Sequence, residues 1–240
     1  MDAMEHLFGI FSGLKPFALS DAQKEQLEHF STLVLEWNQK LNLTAITDPK
    51  EFWIKHIYDS LTCLQVIFAF GRSSVIDIGT GAGFPGIPLK IAYPEMRLTL
   101  AESVKKKADF CQLAVDTLGL QDVRVVAERA ETLGQDAAFR EKYDCAVARA
   151  VAPLAVLVEY LLPLVHTGGQ VLAQKGGNAE AEIIEAQRAI HLLGGKVSQV
   201  IPIELPEGMG SRTLITIKKI RPTPAAYPRR AGTPKKNPLS

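Results

Sequence analysis

The run VIDIGTGAGFPGIP, residues 75–88, constrains the fold more than any other part of the chain. A short apolar stretch typical of a buried strand leads into a segment that predicts a helix. Between them lie three glycines at alternate positions, Gly79, Gly81 and Gly83. Glycines at such a junction let the backbone turn sharply and let a ligand pack directly against it. The two prolines that follow are compatible with a helix beginning near residue 85, because the first helical N–H groups have no intrahelical partner.

Short β-rich segments alternate with segments of helical periodicity from residue 74 onward. The expected strands are residues 75–78, 97–101, 123–126, 144–148, 170–175, 196–205 and 212–220, and the expected helices lie near 85–93, 104–119, 152–165 and 178–194. This alternation predicts an α/β fold with a doubly wound, mostly parallel seven-stranded sheet. The last two strands have no helix between them, so they are expected to close the sheet as an antiparallel pair.

Two amphipathic helices are expected before the first strand. The first covers residues 20–43, where Ser20 and Gln23 are spaced as a capping box. The second begins at Asp48, with a proline in the first helical position. We expect these helices to form an N-terminal helical cap, residues 1–70, packed on a core domain of residues 71–220.

The chain ends in a basic, proline-rich tail, residues 221–240. Eight Lys or Arg residues and no acid lie between Arg212 and Ser240, whereas the rest of the chain carries 19 basic and 26 acidic side chains. The prolines predict an extended tail without a core of its own. An acidic body with a basic tail indicates a polyanionic partner, or a solvated tail that aids solubility.

The glycine run alone fits two cofactors. Gly81, Gly83 and Gly86 satisfy the spacing G-x-G-x-x-G, the fingerprint of dinucleotide-binding proteins. An adenosyl cofactor such as S-adenosylmethionine is the alternative. A tight turn that binds no ligand is a third interpretation.

Three features favour the adenosyl cofactor. Asp77 lies at the end of the expected strand, where it can meet an amino group instead of a pyrophosphate. Gly81 comes three residues after Ile78, whereas a dinucleotide loop places its first glycine directly after the strand. The bulk of Phe84 and Pro85 is expected to narrow the space where a pyrophosphate would lie on the helix N-terminus.

Polar residues follow each of the next three expected strands. Glu102, after the second strand, can accept hydrogen bonds from both ribose hydroxyls, or it is a solvated acid at a helix start. Ala130 and Glu131, after the third, are placed to border an adenine ring. Arg149, after the fourth, is expected to line the cleft, since ligands bind at the carboxyl edge of such sheets.

These residues carry a family resemblance. The pattern Asp77-x-Gly79-x-Gly81-x-Gly83, followed by Glu102, resembles that of class I S-adenosylmethionine-dependent methyltransferases. A narrower resemblance is to the bacterial 16S rRNA guanine-N7 methyltransferases of the glucose-inhibited division B family. It is carried by IDIGTGAGFPGIPLKI, AESVKKKADF, VARAVAPL, LAQKGG, LNLTAIT, KHIYDSL and PTPAAYPRRAGTPKKNPL, and covers roughly residues 25–240.

The resemblance implies the class I methyltransferase fold and methyl transfer from S-adenosylmethionine to guanine N7 at position 527 of 16S rRNA in the small ribosomal subunit. It implies that Arg149 is catalytic, at the cofactor or the substrate. The implied cofactor-binding residues are Asp77, Gly79, Gly81, Gly83, Phe84, Glu102, Ser103, Val104, Ala130, Glu131 and Arg149. Candidate RNA phosphate contacts are Lys105, Lys175, Arg229, Arg230, Lys235 and Lys236. The lysines near 105 equally fit a solvated helix start.

The chemistry expected from the resemblance requires little of the protein. Guanine N7 has a free lone pair and no proton to lose, so no general base is needed and positioning dominates. His56 and Asp59 share one face of a helix and either reach the cleft or form a buried pair.

Composition limits the remaining possibilities. We expect three ordinary buried thiols at Cys63, Cys111 and Cys145, no metal site and no membrane span, in a cytoplasmic monomer. An NAD(P)-dependent oxidoreductase and a non-catalytic ribosome-assembly factor are the alternative functions.

Overall fold

A seven-stranded sheet forms the centre of the protein. The computed structural model describes residues 19–67, 73–177 and 179–239. The strands are β1 (Ser74–Ile78), β2 (Arg97–Ala101), β3 (Val123–Val126), β4 (Tyr143–Arg149), β5 (Val165–Gly176), β6 (Gly195–Glu204) and β7 (Ser211–Lys219). Their order in the sheet is β3-β2-β1-β4-β5-β7-β6, and β7 runs antiparallel to both of its neighbours. The predicted mostly parallel sheet with an antiparallel closing pair is therefore confirmed.

Helices cover both faces of the sheet. They are α1 (Asp21–Leu41), α2 (Pro49–Phe52), α3 (Asp59–Leu61), α4 (Leu64–Ile67), α5 (Gly86–Ala92), α6 (Lys105–Thr117), α7 (Ala130–Gln135), α8 (Leu154–Leu161), α9 (Glu180–Leu192) and α10 (Thr233–Lys236). A π-helical segment, Trp53–Tyr58, lies between α2 and α3, and short 3₁₀ turns occupy Leu162–Leu164 and Pro206–Gly208. The sequence patterns did not predict α7, which follows β3.

The strand order places a crevice at the carboxyl edge of the sheet. The chain proceeds from β1 to β2 and β3 on one side, then crosses over to β4 on the other side of β1. Ile78 at the end of β1 pairs with Ala101 at the end of β2, so the loops after both strands meet at one edge. Open α/β sheets bind ligands at such a switch point, just beyond the ends of the strands.

The N-terminal helices supply core side chains to one face of the sheet. The predicted capping box is confirmed: Ser20 Oγ accepts from the Gln23 N–H at 3.3 Å, and Gln23 Oε1 accepts from the Ser20 N–H at 2.9 Å. Phe30 of α1 is fully buried in the same cluster as Val75 of β1. The first 18 residues and residues 68–70 of the expected cap, with residues 71 and 72 of the expected core domain, lie outside the described part of the chain.

The second expected helix is interrupted. Asp48 caps α2 as predicted, because its Oδ1 accepts from the Glu51 N–H at 2.8 Å. The segment from Trp53 to Tyr58 then winds as a π-helix before the α-helical pattern resumes at Asp59. Such wide turns inside helices occur frequently at functional sites, and this one carries His56.

The prolines of the tail predicted an extended segment without a core of its own, and this prediction is wrong. Tyr227 and Leu239 pack against the core on the sheet face covered by α8, and Pro228 is buried. Just before the tail, Lys219 is fully buried, donates to the Leu162 carbonyl at 2.5 Å, and has a pKa lowered by burial to about 8. Basic residues near the C-terminus are therefore partly structural, which residue composition alone does not reveal.

All three cysteines are free and buried, as expected. Burial raises the pKa of the Cys145 thiol to about 12, so this group stays protonated at neutral pH. Within the described residues, no helix is long and apolar enough to cross a membrane.

Candidate active site

The glycine loop after β1 adopts a backbone conformation that favours glycine. Gly79 and Gly81 have φ angles of +68° and +61°, in the left-handed region where other residues are strained. The Gly79 N–H donates to the Ala101 carbonyl at 2.8 Å, which ties the loop to the end of β2. A Cβ atom built on Gly81 meets nothing within 4 Å, so the backbone there faces open space. Gly83 also has a positive φ, of +93°.

Asp77 lies fully buried beneath this loop. Its Oδ2 accepts from the Thr80 hydroxyl at 2.6 Å and from the Gly86 N–H at 2.9 Å, which fixes the loop to the start of α5. Burial raises the pKa of the carboxyl to about 7, against the effect of these hydrogen bonds. Asp77 Oδ1 is buried without a partner among the described residues. An unsatisfied carboxylate oxygen below a glycine cradle fits a ligand that carries an amino group.

Glu102 connects the glycine loop to the turn after β2. Its Oε2 accepts from the Gly81 N–H at 3.0 Å, and its Oε1 accepts from the Val104 N–H at 2.8 Å. The residue is 7% exposed, so the interpretation as a solvated acid is wrong. Each carboxylate oxygen keeps a further lone pair, so both can still accept from a ribose hydroxyl.

A first cavity, of about 260 Å³, opens beside the loop. Four of the predicted cofactor residues line it, namely Gly79, Ser103, Ala130 and Glu131. Val104, next to Ser103, is 50% exposed and is therefore free to cover an apolar ring. The structure brings the four lining residues together at one edge of the sheet, as predicted from the sequence.

The Phe84 side chain does not lie where its bulk was expected to act. Its ring is buried, with its centroid 5.2 Å from that of Phe30 and 5.9 Å from that of Phe52. It stacks on the His56 ring at 4.7 Å, with 13° between the ring planes. Because the ring turns into the core, it does not narrow the space at the helix N-terminus, and the expectation that the bulk of Phe84 excludes a pyrophosphate is wrong.

Arg149 ends β4 and points toward the N-terminal helices. Its guanidinium lies 5.1 Å from the centre of the Phe84 ring. It donates to the Lys55 carbonyl at 3.2 Å and to His56 Nδ1 at 3.2 Å, and approaches Asp59 Oδ2 at 3.5 Å. The side chain is 14% exposed, so this cation is held by the π-helical segment and remains accessible from one side.

His56 is held as a neutral ring. Since Nδ1 accepts from Arg149, the proton lies on Nε2, which donates to Thr44 Oγ1 at 2.7 Å. Burial and the nearby positive charges of Arg149 and Arg212 lower the pKa of His56 to about 3. Both ring nitrogens are engaged, so His56 positions Arg149 and has no lone pair left for a proton from a ligand.

Asp59 is a buried acceptor in the same cluster. It is 2% exposed and accepts from Arg212 Nε at 3.1 Å and from Gln174 Nε2 at 2.7 Å. Burial raises the pKa of its carboxyl, and the two arginines oppose this rise. Both residues therefore reach the wall of one cleft, with Asp59 the more deeply buried of the two.

That cleft is a second cavity, of about 340 Å³, lined by His56, Asp59, Arg149, Gln174 and Arg212. The two cavities are neighbours along the β4–α8 turn, where Ala150 lines the second cavity and Val151, the next residue, lines the first. The Oε1 of Gln174 is buried and has no partner in the described part of the chain. Sequence patterns did not reveal Gln174 or Arg212, because both lie in strands that otherwise look structural.

Two of the six candidate phosphate contacts are occupied within the protein. Lys175 donates to the Ala152 carbonyl at 2.9 Å and pairs with Glu182 at 2.8 Å. Arg229 pairs with Glu159, which is fully buried, at 2.6 Å. Both cations are thus engaged within the protein, which disfavours Lys175 and Arg229 as phosphate contacts.

The other four candidates remain exposed. These are Lys105, which pairs with Asp109 in its own helix at 2.9 Å, and Arg230, Lys235 and Lys236 in the tail.

The family of the chain follows from sequence comparison. Residues 23–209 match the family model described as rRNA small subunit methyltransferase G, or GidB. The chain belongs to this family. The Ribosomal RNA small subunit methyltransferase G of Alkaliphilus metalliredigens is 48% identical over 223 residues, which cover 93% of each chain. The protein of the same name from Roseiflexus castenholzii is 51% identical over 92% of this chain and 94% of its own. The family resemblance seen in the motifs is confirmed.

Solved structures of lower identity share the fold of this family member. MtNAS, in a crystal structure with MTA and tNA, is 18% identical and superposes with a TM-score of 0.55 over 83% of this chain and 74% of its own. A SAM dependent methyltransferase from Aquifex aeolicus is 16% identical, with a TM-score of 0.51 over 73% of this chain and 96% of its own. The class I methyltransferase fold is therefore confirmed.

Proposed function

We propose that this protein transfers the methyl group of S-adenosylmethionine to N7 of a guanine in 16S rRNA of the small ribosomal subunit. Its membership of the rRNA small subunit methyltransferase G family, over nearly the whole chain, carries the proposal. The two adjoining cavities support it, because methyl transfer needs a cofactor pocket that meets a substrate pocket. An NAD(P)-dependent oxidoreductase and a non-catalytic assembly factor are disfavoured by the same family membership.

The first cavity suits the adenosyl cofactor. In this proposal, Ser103, Ala130 and Glu131 of the cavity wall border the adenine. Glu102, which holds the Gly81 and Val104 N–H groups, accepts from the ribose hydroxyls, and the exposed Val104 side chain covers the adenine. Gly79 and Gly81 let the ligand approach the backbone, and Asp77 beneath them favours its amino group. Gly83 does not share this role, because the core side chains of Ile87 and Phe30 occupy the space beside it. Phe84 contributes through its backbone, since its ring lies in the core.

The second cavity suits the target base. Arg149 and Arg212 offer hydrogen-bond donors, which match the O6 acceptor of guanine, and the unpartnered Gln174 Oε1 offers an acceptor for its amino or imino groups. Arg149 lines the second cavity directly before the turn that leads to the first, so we assign it the catalytic role of orienting the base toward the cofactor. S-adenosylmethionine, when bound, supplies the methyl group on a sulfonium that needs no further activation.

The proton acceptors described on the wall of the second cavity, His56 and Asp59, are already engaged, and this chemistry needs neither of them. N7 attacks with its own lone pair and releases no proton, so no residue must accept one. His56 has both ring nitrogens engaged, and Asp59 is committed to Arg212 and Gln174. Holding the two reactants in line can then lower the activation free energy by ~7–11 kcal/mol.

The RNA approaches the side of the protein that carries the exposed basic side chains. N7 lies in the major groove, which is too deep and narrow in A-form RNA for side chains to enter, so the guanine must be in a loop or an opened helix. Position 527, which the family resemblance implies, is the specific target that we propose. Lys105, Arg230, Lys235 and Lys236 remain as phosphate contacts.

We further propose a cytoplasmic monomer. The large hydrophobic side chains exposed in the described part of the chain, Val104, Ile184, Val200 and Ile220, belong to separate elements of the fold. A molar mass from light scattering close to 26.2 kDa supports this state, and twice that mass contradicts it.

The decisive experiment is transfer of labelled methyl groups to small ribosomal subunits isolated from a strain that lacks this protein. Nucleoside analysis should place the label in 7-methylguanosine, and mapping should place it at the proposed position. Label in another nucleoside, in tRNA or in protein would refute the substrate. Thermal stabilisation by NAD(P)H but not by S-adenosylmethionine would favour the oxidoreductase instead. Unchanged rRNA modification after substitution of Asp77 or Gly81 would favour the assembly factor.

A further inference from the structure

Residues 223–239, here called the C-terminal strap, are fastened to the body by a buried ion pair. Glu159 on α8 is fully buried, and its carboxylate accepts from Arg229 Nε at 2.9 Å and from Arg229 Nη2 at 2.6 Å. The backbone N–H of Arg229 also donates to Glu159 Oε1, at 2.8 Å. Three hydrogen bonds to one buried carboxylate fix the middle of the strap in place.

A second fastening precedes the first along the strap. The Arg140 guanidinium donates to the carbonyls of Thr223 and Tyr227, each at 2.7 Å. Pro228 then packs against Gly134 of α7 so closely that a Cβ atom on this glycine would lie 2.6 Å from the Pro228 Cγ. The strap therefore follows one path across α7 and α8.

This path ends at the first cavity. The Gly232 N–H donates to Glu131 Oε1 at 2.7 Å, and Glu131 is one of the residues assigned to the cofactor. Gly232, just before α10, and Lys235, on α10, both line the cavity, together with Glu128 and Ser103. Lys236, the next residue, is also exposed but is not part of this wall.

We propose that the C-terminal strap completes the cofactor pocket, with Lys235 as an adenosyl-binding residue and Gly232 as a positioning residue for Glu131. This inference rests on the proposed function, which makes the first cavity the S-adenosylmethionine pocket. Lys235 adds an ammonium group to a wall that contains Glu128 and Glu131, and its protons can be accepted by the adenine nitrogens or ribose oxygens. The group recognised is the adenosyl moiety, so substrate and product cofactor should respond alike.

The alternative role for these lysines is RNA binding alone, which their charge and exposure also suit. Lys235 and Lys236 are neighbours with the same charge, so each should contribute similarly to attraction of a polyanion. Only Lys235 lines the cavity, however. Cofactor affinity measured without RNA therefore separates the two roles.

The test compares K235A with K236A by calorimetric titration with S-adenosylmethionine and with S-adenosylhomocysteine. We expect K235A to raise the Kd for both ligands about 5- to 10-fold, since it loses a hydrogen bond from a charged donor. K236A should change both values less than about twofold. Equal effects of the two variants, or wild-type cofactor affinity in K235A, would overturn the role of Lys235. Failure of the wild-type protein to bind either ligand would instead overturn the proposed function.

A truncation that ends at Ala226 tests the strap as a whole. It removes the Arg229 and Gly232 contacts, and we expect a loss of cofactor affinity larger than that of K235A. Circular dichroism and thermal unfolding monitor the fold of this variant. A folded truncation with wild-type affinity for S-adenosylhomocysteine would refute the strap as part of the pocket. If the truncated chain does not fold, the comparison of K235A with K236A still decides.

Discussion

Arg149 holds its guanidinium 5.1 Å from the centre of the Phe84 ring, and this contact joins the end of β4 to the glycine loop. On its other sides, the guanidinium is held by the His56 ring and the Lys55 carbonyl of the π-helical segment. The residue at the junction of the two cavities is thus oriented by the cofactor loop and by the N-terminal helices together. Its geometry, more than its charge, should therefore determine its contribution.

Replacing Arg149 with lysine tests this geometry. R149K keeps the positive charge but loses the planar fork that spans Lys55 O, His56 Nδ1 and the face of Phe84. We expect the rate of methyl transfer at saturating substrate to fall about 100-fold, because a displaced base loses its alignment. The affinity for S-adenosylhomocysteine, measured by calorimetry, should change less than about threefold, because Arg149 lines the second cavity. A parallel loss of both would assign Arg149 to the cofactor.

Gly81 and Gly119 provide a matched pair. Both have left-handed φ angles, +61° and +64°, and a Cβ atom on either one meets nothing within 4 Å. Each Gly→Ala change should therefore reduce the free energy of unfolding by about 1–2 kcal/mol through backbone strain. Only G81A places a methyl group on the cofactor side of the loop, so only G81A should also weaken binding of S-adenosylmethionine. Similar cofactor affinities in the two variants would mean that the ligand does not approach this backbone.

Asp77 should make stability fall as the pH rises. Its pKa is raised by burial to about 7, above the 3.8 of an ordinary aspartate, so the folded state prefers the protonated form. The favourable contribution is complete below pH 3.8 and is lost as the pH rises through 7. Relative to D77N, which does not titrate, the wild-type free energy of unfolding should fall by up to about 1.4 kcal/mol per pH unit across this range. Urea unfolding of both proteins at several pH values measures this fall. A difference in free energy of unfolding between wild type and D77N that stays constant with pH would contradict the raised pKa of Asp77.

His56 should have the opposite effect, so that stability falls as the pH falls. Its pKa is lowered from 6.5 to about 3, so the unfolded chain binds a proton more readily than the folded protein does. The stability it contributes is complete above pH 6.5 and is lost as the pH falls toward 3. Compared with H56Q, the wild type should lose up to about 1.4 kcal/mol per pH unit in this range. An NMR titration should find no protonation of this ring near pH 6, and a midpoint there would refute the neutral ring.

The strands were predictable because each contains a short apolar run next to a turn signal, and β2 and β3 match their predicted bounds. Helix α7 was missed because its six residues are too few to show a helical period. The π-helical segment carries no local signal either, since its residues continue the apolar spacing of α2.

The cofactor residues were predictable because they follow strands that end at one sheet edge. Gln174 and Arg212 were not, because only the fold brings Asp59 near them. Arg229 was assigned to RNA for the same reason: its partner, Glu159, lies 70 residues away in the chain, and a local pattern cannot show that pairing.

Arg229 and Arg230 separate structural from RNA-binding charge in the C-terminal strap. R229A leaves the buried Glu159 carboxylate without its cation, so the free energy of unfolding should fall by about 3–5 kcal/mol. R230A removes an exposed charge and should leave the free energy of unfolding within about 0.5 kcal/mol of wild type.

For RNA binding, the order of the two variants should reverse. R230A should lower the slope of log Kd against log salt concentration by about 1, because one phosphate contact is lost. R229A, under conditions where it is folded, should keep the wild-type slope, because in the wild-type protein Glu159 already neutralises the Arg229 guanidinium. Filter binding of 16S rRNA over a series of salt concentrations measures both slopes. A reduced slope for R229A alone would show that the ion pair opens to receive a phosphate.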